Sequence, residues 1–345
     1  MVGRVLTASL YVIGICLYFI GAAPIVRWLG RRNPKILLYH DCSEQQSDYL
    51  ADLECTTSPK NFRRHIDYLI RHYTIVPLEM LLSGNAPRKA VSLTFDDGYA
   101  SVYDNVFPLL KERQLSATIY LISSVVDNRA LVWVNELNYL TRQCGETAVA
   151  RARRYFDVPI TAKPADIITI CRLQYSRTKI EALLAALRKF AELPEAKHAQ
   201  DANLYLSWAQ IDEMRRSGVE FGNHSRTHPN MELLTEEEQL AEISSAQKEL
   251  QVHLPVVRAF AHPFGHRGST TASLASKLGL KSAADVGGYN HPIDPLSLGR
   301  THMTNESVAG LFARMEVVEP LKGLLRKRLR PPKNQATAET VQALA

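Results

Sequence analysis

The chain is short of cysteine and tryptophan and has no tract of biased composition, and each shortage narrows what it can be. Its five cysteines in 345 residues, Cys16, Cys42, Cys55, Cys144 and Cys171, are odd in number and include no CxxC pair. That excludes a zinc knuckle and a complete disulfide framework. Cys42 and Cys55 could bridge in an oxidising compartment, and reduced, buried thiols fit the pattern equally. No collagen-like, low-complexity or internally repeated segment is present, which excludes fibrous and broadly disordered classes. No stripe of basic and aromatic residues crosses the middle of the chain and the formal charge is only +6, so nucleic acid is not an expected partner. What remains, 46% hydrophobic and 22% charged, is a globular chain with a sizeable core, long enough for one large domain or two ordinary ones.

Charge is scarce in one place above all. Residues 5–26 hold no charged side chain and are rich in Leu, Ile, Val, Tyr and Phe. About 20 such residues cross a hydrocarbon core, so the run predicts an uncleaved transmembrane helix over about 5–26, within an anchor spanning residues 1–32. A cleavable signal peptide fits less well, because its apolar centre is usually shorter and Ala22-Ala23-Pro24 puts a proline directly after the small residues. Arg4 precedes the run, while Arg27, Arg31, Arg32 and Lys35 follow it. The run predicts a single-pass protein of the cell (inner) membrane; the positive-inside tendency of these charges points to a body in the cytoplasm, while an outward-facing body acting on secreted polysaccharide stays open. At the other end, Leu321, Leu324, Leu325 and Leu329 stand among Lys322, Arg326, Lys327, Arg328 and Arg330, before Pro331-Pro332. Residues 319–345 thus read as a basic amphipathic helix, suited to anionic lipid or simply solvated, followed by a loose tail.

Between these ends the pattern alternates. A short strand is expected at 36–40, a helix opened by Ser58-Pro59, a strand at 73–76, a strand from Val91 ending in Asp96-Asp97-Gly98, a helix around Val106 to Leu110 and a strand at 117–122. Strands alternating with helices imply parallel pairing. Residues 128–205 break the rhythm with helical patterns such as Ile180, Leu183, Leu184 and Leu187, and read as a helical insert or lid. The rhythm resumes at 219–221, with a capping box at Thr235 and Glu238 and short strands at 257–261 and 282–284.

Two stretches carry chemistry. Adjacent carboxylates can address one site only where the chain leaves a strand, because successive strand side chains point to opposite faces; Asp96-Asp97-Gly98 supplies that exit. His224 and His228 follow the 219–221 strand, and Pro229 disfavours helix at His228, so the pair is expected on a loop at a strand end. Two histidines and a carboxylate from another strand end meet the requirement for an open metal site.

Thr94-Phe95-Asp96-Asp97-Gly98-Tyr99, His224-Ser225-Arg226-Thr227-His228 and Phe260-Ala261-His262-Pro263-Phe264-Gly265, with Leu38-Tyr39-His40 at the start, resemble in order the motifs of the NodB-homology polysaccharide deacetylases, carbohydrate esterase family 4. The resemblance implies an α/β fold, a distorted (β/α) barrel over residues 33–318, interrupted by the insert. It implies hydrolysis of N-acetyl groups on amino sugars with one divalent metal, zinc or else cobalt or nickel. By motif position Asp97, His224 and His228 are the metal ligands and Asp96 the general base. The family's usual third-motif arginine is Ala261 here, and its usual fifth-motif histidine is Arg300. Both departures resemble the poly-N-acetylglucosamine deacetylase branch, in which a histidine ending the first strand is the acid; that residue is His40, with His262 and His302 as fallbacks. Tyr99, Pro263, Phe264 and Arg300 are expected to shape the pocket, and Arg300 to stand in for the missing arginine beside Asp96. Trp133 either stacks on sugar or anchors the insert. The implied partners are an N-acetylated glycan or lipid-linked sugar, and membrane lipid. A catalytically silent glycan-binding or scaffold protein and a sugar deformylase are the competing readings.

Overall fold

The computed structural model describes residues 2–143, 145–155, 164–193, 195–266 and 268–329. The tail expected beyond Leu329, with Pro331 and Pro332, and Cys144 lie outside the described residues.

Eight strands form one parallel sheet: β1 (Lys35–Tyr39), β2 (Thr74–Ile75), β3 (Ala90–Phe95), β4 (Thr118–Leu121), β5 (Glu220–Asn223), β6 (Ala259–Ala261), β7 (Ser282–Val286) and β8 (Leu298–His302). The order is β1-β8-β7-β6-β5-β4-β3-β2, and β1 also pairs with β3, so the sheet curls until β1 lies between β8 and β3. Every residue of β1 and β3 is buried, as expected of strands covered on both faces. The curled α/β architecture is the one the sequence predicts. β8 went unread as a strand because Gly299, Arg300 and His302 break its apolar pattern; Arg300 and His302 point inward for another purpose.

Helix starts follow their local chemistry. Ser58 caps the helix Pro59–His72, and Thr235 with Glu238 forms the expected reciprocal box before Glu236–Gln251. Across the insert, five described helices (Trp133–Gln143, Gly145–Tyr155, Pro164–Gln174, Arg177–Ala191 and Glu195–Ala202) gather a small core of their own around Leu137, Leu140, Leu183, Leu184 and Leu187. Cys42, Cys55 and Cys171 are buried free thiols.

The N-terminal segment differs from the expected single helix over 5–26. It is two helices, Val2–Phe19 and Ala23–Leu29, with a bend of 118° between 5–19 and 23–29. Gly21 takes a left-handed conformation (φ 81°) that ends the first, and Pro24 in the opening turn of the second has no N–H to continue the ladder. Among the described residues no single helix is long and apolar enough to cross a membrane; the bent pair passes that test only as a pair. The first helix lies against the body of the protein. A Cβ on Gly14 would sit 2.6 Å from that of Ala313, so glycine is what lets the two backbones approach. Tyr18 packs on Phe312 and Tyr68, and Arg314 sits over Tyr11. Two of the four cations counted after the apolar run are structural. Arg27 is buried and donates to the Tyr68 hydroxyl (2.9 Å), and Lys35 is buried in an ion pair with Glu316 (3.1 Å).

Candidate active site

All eight strands run the same way, so their C-terminal ends open on one face. β1 and β3 pair in register through Tyr39 and Phe95, and the Asp96 amide donates to the Tyr39 carbonyl (3.0 Å), which sets His40 and Asp96 side by side. His224 follows β5, its amide bonded to Leu121 of β4 (2.9 Å). Leu38 pairs with His302, which brings β8 to the same place.

Four site residues leave ordinary backbone space: Asp97 (φ 69°), Ser225 (φ 67°), His228 (φ 59°) and Phe264 (φ 57°) all adopt left-handed conformations. Asp97 and Gly98 (φ 72°) in succession make the sharp exit from β3 that turns the Asp97 carboxylate toward the histidines. Such conformations cost of order 1–3 kcal/mol each in non-glycine residues and cluster where geometry is imposed for function.

Asp97, His224 and His228 offer donor atoms that all lie within 4.8 Å of one another. The Nε2 atoms of His224 and His228 are 3.4 Å and 3.5 Å from Asp97 Oδ1. Two donors about 2.1 Å from a tetrahedral zinc stand about 3.4 Å apart, so the spacing fits a divalent ion. Asp97 Oδ1 is buried without a hydrogen-bond partner, which an ion would satisfy. His224 Nδ1 bonds the Ala261 carbonyl (2.8 Å), which places the proton there and leaves Nε2 as the lone-pair donor. The residue standing where an arginine was missed therefore orients a ligand through its backbone.

Asp96 lies beside this group, its Oδ2 3.5 Å from His224 Nε2, and is clamped by Arg300, whose two terminal nitrogens donate to its two oxygens at 2.7 and 2.8 Å. Burial alone would raise the Asp96 carboxyl; the Arg300 guanidinium and the His224 imidazole outweigh it and hold the pKa below the usual value. Asp97 is depressed in the same way, burial being outweighed by His228, His224 and His40. Burial pushes His228 down to about 3, and His302 likewise to about 3. His224 is raised, since the two carboxylates outweigh its burial.

His40 and His302 both border the cavity, their rings perpendicular with centres 5.2 Å apart. Burial lowers His40, and the Asp97 and Asp96 carboxylates oppose that shift. His262 is fully buried against Phe260 and does not line the cavity. Tyr99, also buried, borders the cavity and donates to Asn135 Oδ1 (3.3 Å), which Tyr205 reaches as well (2.8 Å). Pro263 is buried behind the wall, whereas Phe264 forms it, its ring 4.3 Å from that of His228. Trp133 is buried and donates to the His228 carbonyl (3.2 Å), so it anchors the insert to the ligand loop.

The cavity measures about 560 Å³. The insert roofs it through Val132, Val134 and Asn135 and through Ala165, Ile168, Thr169 and Arg172, positions i, i+3, i+4 and i+7 of one helix. Sequence reading missed Asn135 and Arg172. A helical stripe inside an insert looks like packing until the surface it covers is known.

Fold and site together define an α/β protein with a curled parallel sheet and an open two-histidine, one-carboxylate centre at its strand ends. The sequence profile of the polysaccharide deacetylase family matches residues 83–283, more than half of the chain, and the chain belongs to that family. The resemblance carried by the motifs is thus borne out. YxkH of Bacillus subtilis, named among the polysaccharide deacetylases, is 27% identical over 159 residues, 38% of this chain. The chain spans about half (54%) of the length of that relative. Among solved structures, the Streptococcus pyogenes deacetylase PplD in complex with acetate is similar with a TM-score of 0.56 at 20% identity, over 82% of this chain and 98% of that one. IcaB from Ammonifex degensii is similar with a TM-score of 0.55 at 20% identity, over 83% and 97%. At these identities the likeness is one of fold.

Proposed function

We propose that the chain is a metal-dependent N-deacetylase that removes acetyl groups from the amino sugars of a polysaccharide or lipid-linked glycan. The observation that carries the reading is the convergence of Asp97, His224 and His228 beside a second carboxylate, Asp96, which is separately clamped and ionised. The solved deacetylase with acetate at similar fold supports it.

Asp97, His224 and His228 would hold the ion, zinc by donor set with cobalt or nickel as substitutes. Such an ion supplies Lewis acidity toward the acetyl carbonyl and toward a water. Asp96 takes the proton of the attacking water, a task for which its depressed pKa keeps it ionised. Arg300 fixes the orientation of that carboxylate. His40 gives a proton to the amine nitrogen as the carbon–nitrogen bond breaks. Phe264 and the insert roof exclude bulk water from the cavity.

The test is release of acetate from N-acetylglucosamine oligomers or lipid-linked precursors by zinc-loaded protein, with products identified by mass spectrometry. Acetate and a free amine are expected. Formate would give the deformylase reading, and no product together with no affinity for metal would give the silent one.

The N-terminal helix pair is proposed to attach the protein to a bilayer surface, with its body-facing side docked and the opposite side in lipid. Val5, Val12, Ile13, Phe19, Ile20, Ile25, Trp28 and Leu29 are exposed on the pair. Leu321 and Leu325 are exposed on the terminal helix Glu319–Leu329, which continues directly from Ala313–Val318, the segment the first helix packs against. Apolar area of this kind on amphipathic elements binds the headgroup boundary. Full-length protein is expected to float with liposomes and to remain in the aqueous phase once the exposed residues Ile13, Phe19, Ile20 and Trp28 are changed to serine; flotation unchanged by that variant counts against the assignment.

A further inference from the structure

One cation in the cavity takes no part in the chemistry described above. Arg172 sits on the insert helix Pro164–Gln174 and is half-buried in the cavity wall. Its guanidinium carbon lies 5.5 Å from the centre of the Phe264 ring, and that ring in turn lies 4.3 Å from His228, so a single aromatic ring separates the guanidinium from a proposed metal ligand. Its Nε is buried without a hydrogen-bond partner, and among the described residues no carboxylate pairs with it. Burial lowers its pKa. The helix is held at this point, since Asn230, two residues beyond His228, donates to the Arg172 carbonyl (2.9 Å).

The other charges of the cavity are accounted for. Asp96 is paired with Arg300, Asp97 faces the two histidines, and Asp52 is paired with Arg142 at the rim. Asp166 and Glu54 border the opening and are exposed. A guanidinium kept partly dry and unpaired costs free energy that a structural role would ordinarily recover through a carboxylate. Its planar fork suits an oxyanion presented edge-on, and its guanidinium carbon, 5.5 Å from the Phe264 ring centre, is within reach of a cation–π contact.

We propose that Arg172 is a specificity-determining residue that binds an anionic substituent, a phosphate ester or a sugar carboxylate, carried by the glycan next to the amino sugar being deacetylated. The proposal rests on the deacetylase reading for its substrate and narrows it from neutral N-acetylated glycans to anionic ones. The two oxyanion sources share the same recognition and are separated by the substrates chosen.

The experiment uses zinc-loaded, full-length protein and three substrates: a neutral N-acetylglucosamine disaccharide, the same disaccharide 1-phosphate, and a disaccharide of N-acetylglucosamine with a uronic acid. Wild type is expected to favour at least one anionic substrate by about tenfold or more in kcat/KM, expressed in KM, since a charge-assisted contact strengthens binding without touching the reacting bond. In Arg172→Gln the preference is expected to collapse toward unity, and Arg172→Lys to retain part of it, because the charge survives without the fork. A wild type without preference, a preference that survives in Arg172→Gln, or an equal loss on neutral and anionic substrates would overturn the assignment. A calorimetric arm keeps the two readings separable. Binding of the disaccharide 1-phosphate and of its neutral parent is measured on wild type and on Arg172→Gln, each carrying Asp96→Asn so that no turnover occurs. A phosphate-dependent gain in affinity that needs Arg172 supports the site even if no substrate releases acetate, and that failure would then count against deacetylation alone.

Discussion

Asp96→Asn is expected to lower kcat about 10³-fold while zinc content stays at one ion per chain, and Asp97→Ala to lose both the ion and the activity. Adjacent carboxylates on one turn thus separate by assay into base and ligand. The magnitude for Asp96 follows from losing a positioned general base, which contributes between about 10² and 10⁴. The asymmetry follows from the contacts. Asp97 Oδ1 stands 3.4 and 3.5 Å from the two imidazole nitrogens, whereas both oxygens of Asp96 are taken by Arg300. Metal analysis and steady-state kinetics on the same preparations check it. If Asp96→Asn loses the ion as readily as Asp97→Ala, the division of labour is wrong; if it retains activity, so is the choice of base.

The parts of this site readable in the sequence were those in which the chain's own geometry forces the chemistry. An apolar strand that ends in Asp96-Asp97-Gly98 has to turn at once, and Pro229 keeps His228 out of a helix, so both stretches announce strand-end loops. Relations between distant elements were harder. Nothing local says that Arg300, 204 residues beyond Asp96, meets it; resemblance to a motif with a displaced arginine suggested the pairing, and the bidentate contact is present. β8 itself was hidden because the residues that serve the site are polar ones in a buried strand. The N-terminal run misled for a different reason. Hydropathy counts side chains and not backbone, so Gly21 and Pro24 weighed little against an uncharged stretch, yet they break the helix. The charge count likewise included Arg27 and Lys35, which face Tyr68 and Glu316 instead of solvent. Arg172 was invisible because a residue on an insert helix acquires meaning only from the cavity its helix covers.

Arg300→Met is expected to damage both stability and catalysis, and the pH dependence of the loss identifies why. Removing one partner of a fully buried, doubly hydrogen-bonded pair leaves the other charge uncompensated, at a cost of about 3–5 kcal/mol. In wild type Asp96 is a carboxylate whose pKa is depressed, so its pairing stabilises the fold above the ordinary carboxylate range and the contribution fades as pH falls through the lowered value. Without Arg300, burial, the largest influence on Asp96, loses its main opponent and the pKa rises. Two consequences follow with the same sign. The stability deficit of the variant is expected to be largest near neutral pH and to shrink in acid, where a protonated Asp96 no longer carries a buried charge. The acid limb of its pH–rate profile is expected to move to higher pH, because the base must lose its proton before it can accept one from water, so activity lost on the acid side is partly regained as the pH is raised from acid toward alkaline. Denaturant midpoints and kcat/KM measured across that range check both. A variant with uniformly reduced activity and an unmoved acid limb would show that Arg300 serves packing or substrate contact and leaves the protonation of Asp96 to other groups. Arg300→Lys, which keeps a cation but gives up the fork, is expected to fall between wild type and Arg300→Met in the position of that limb.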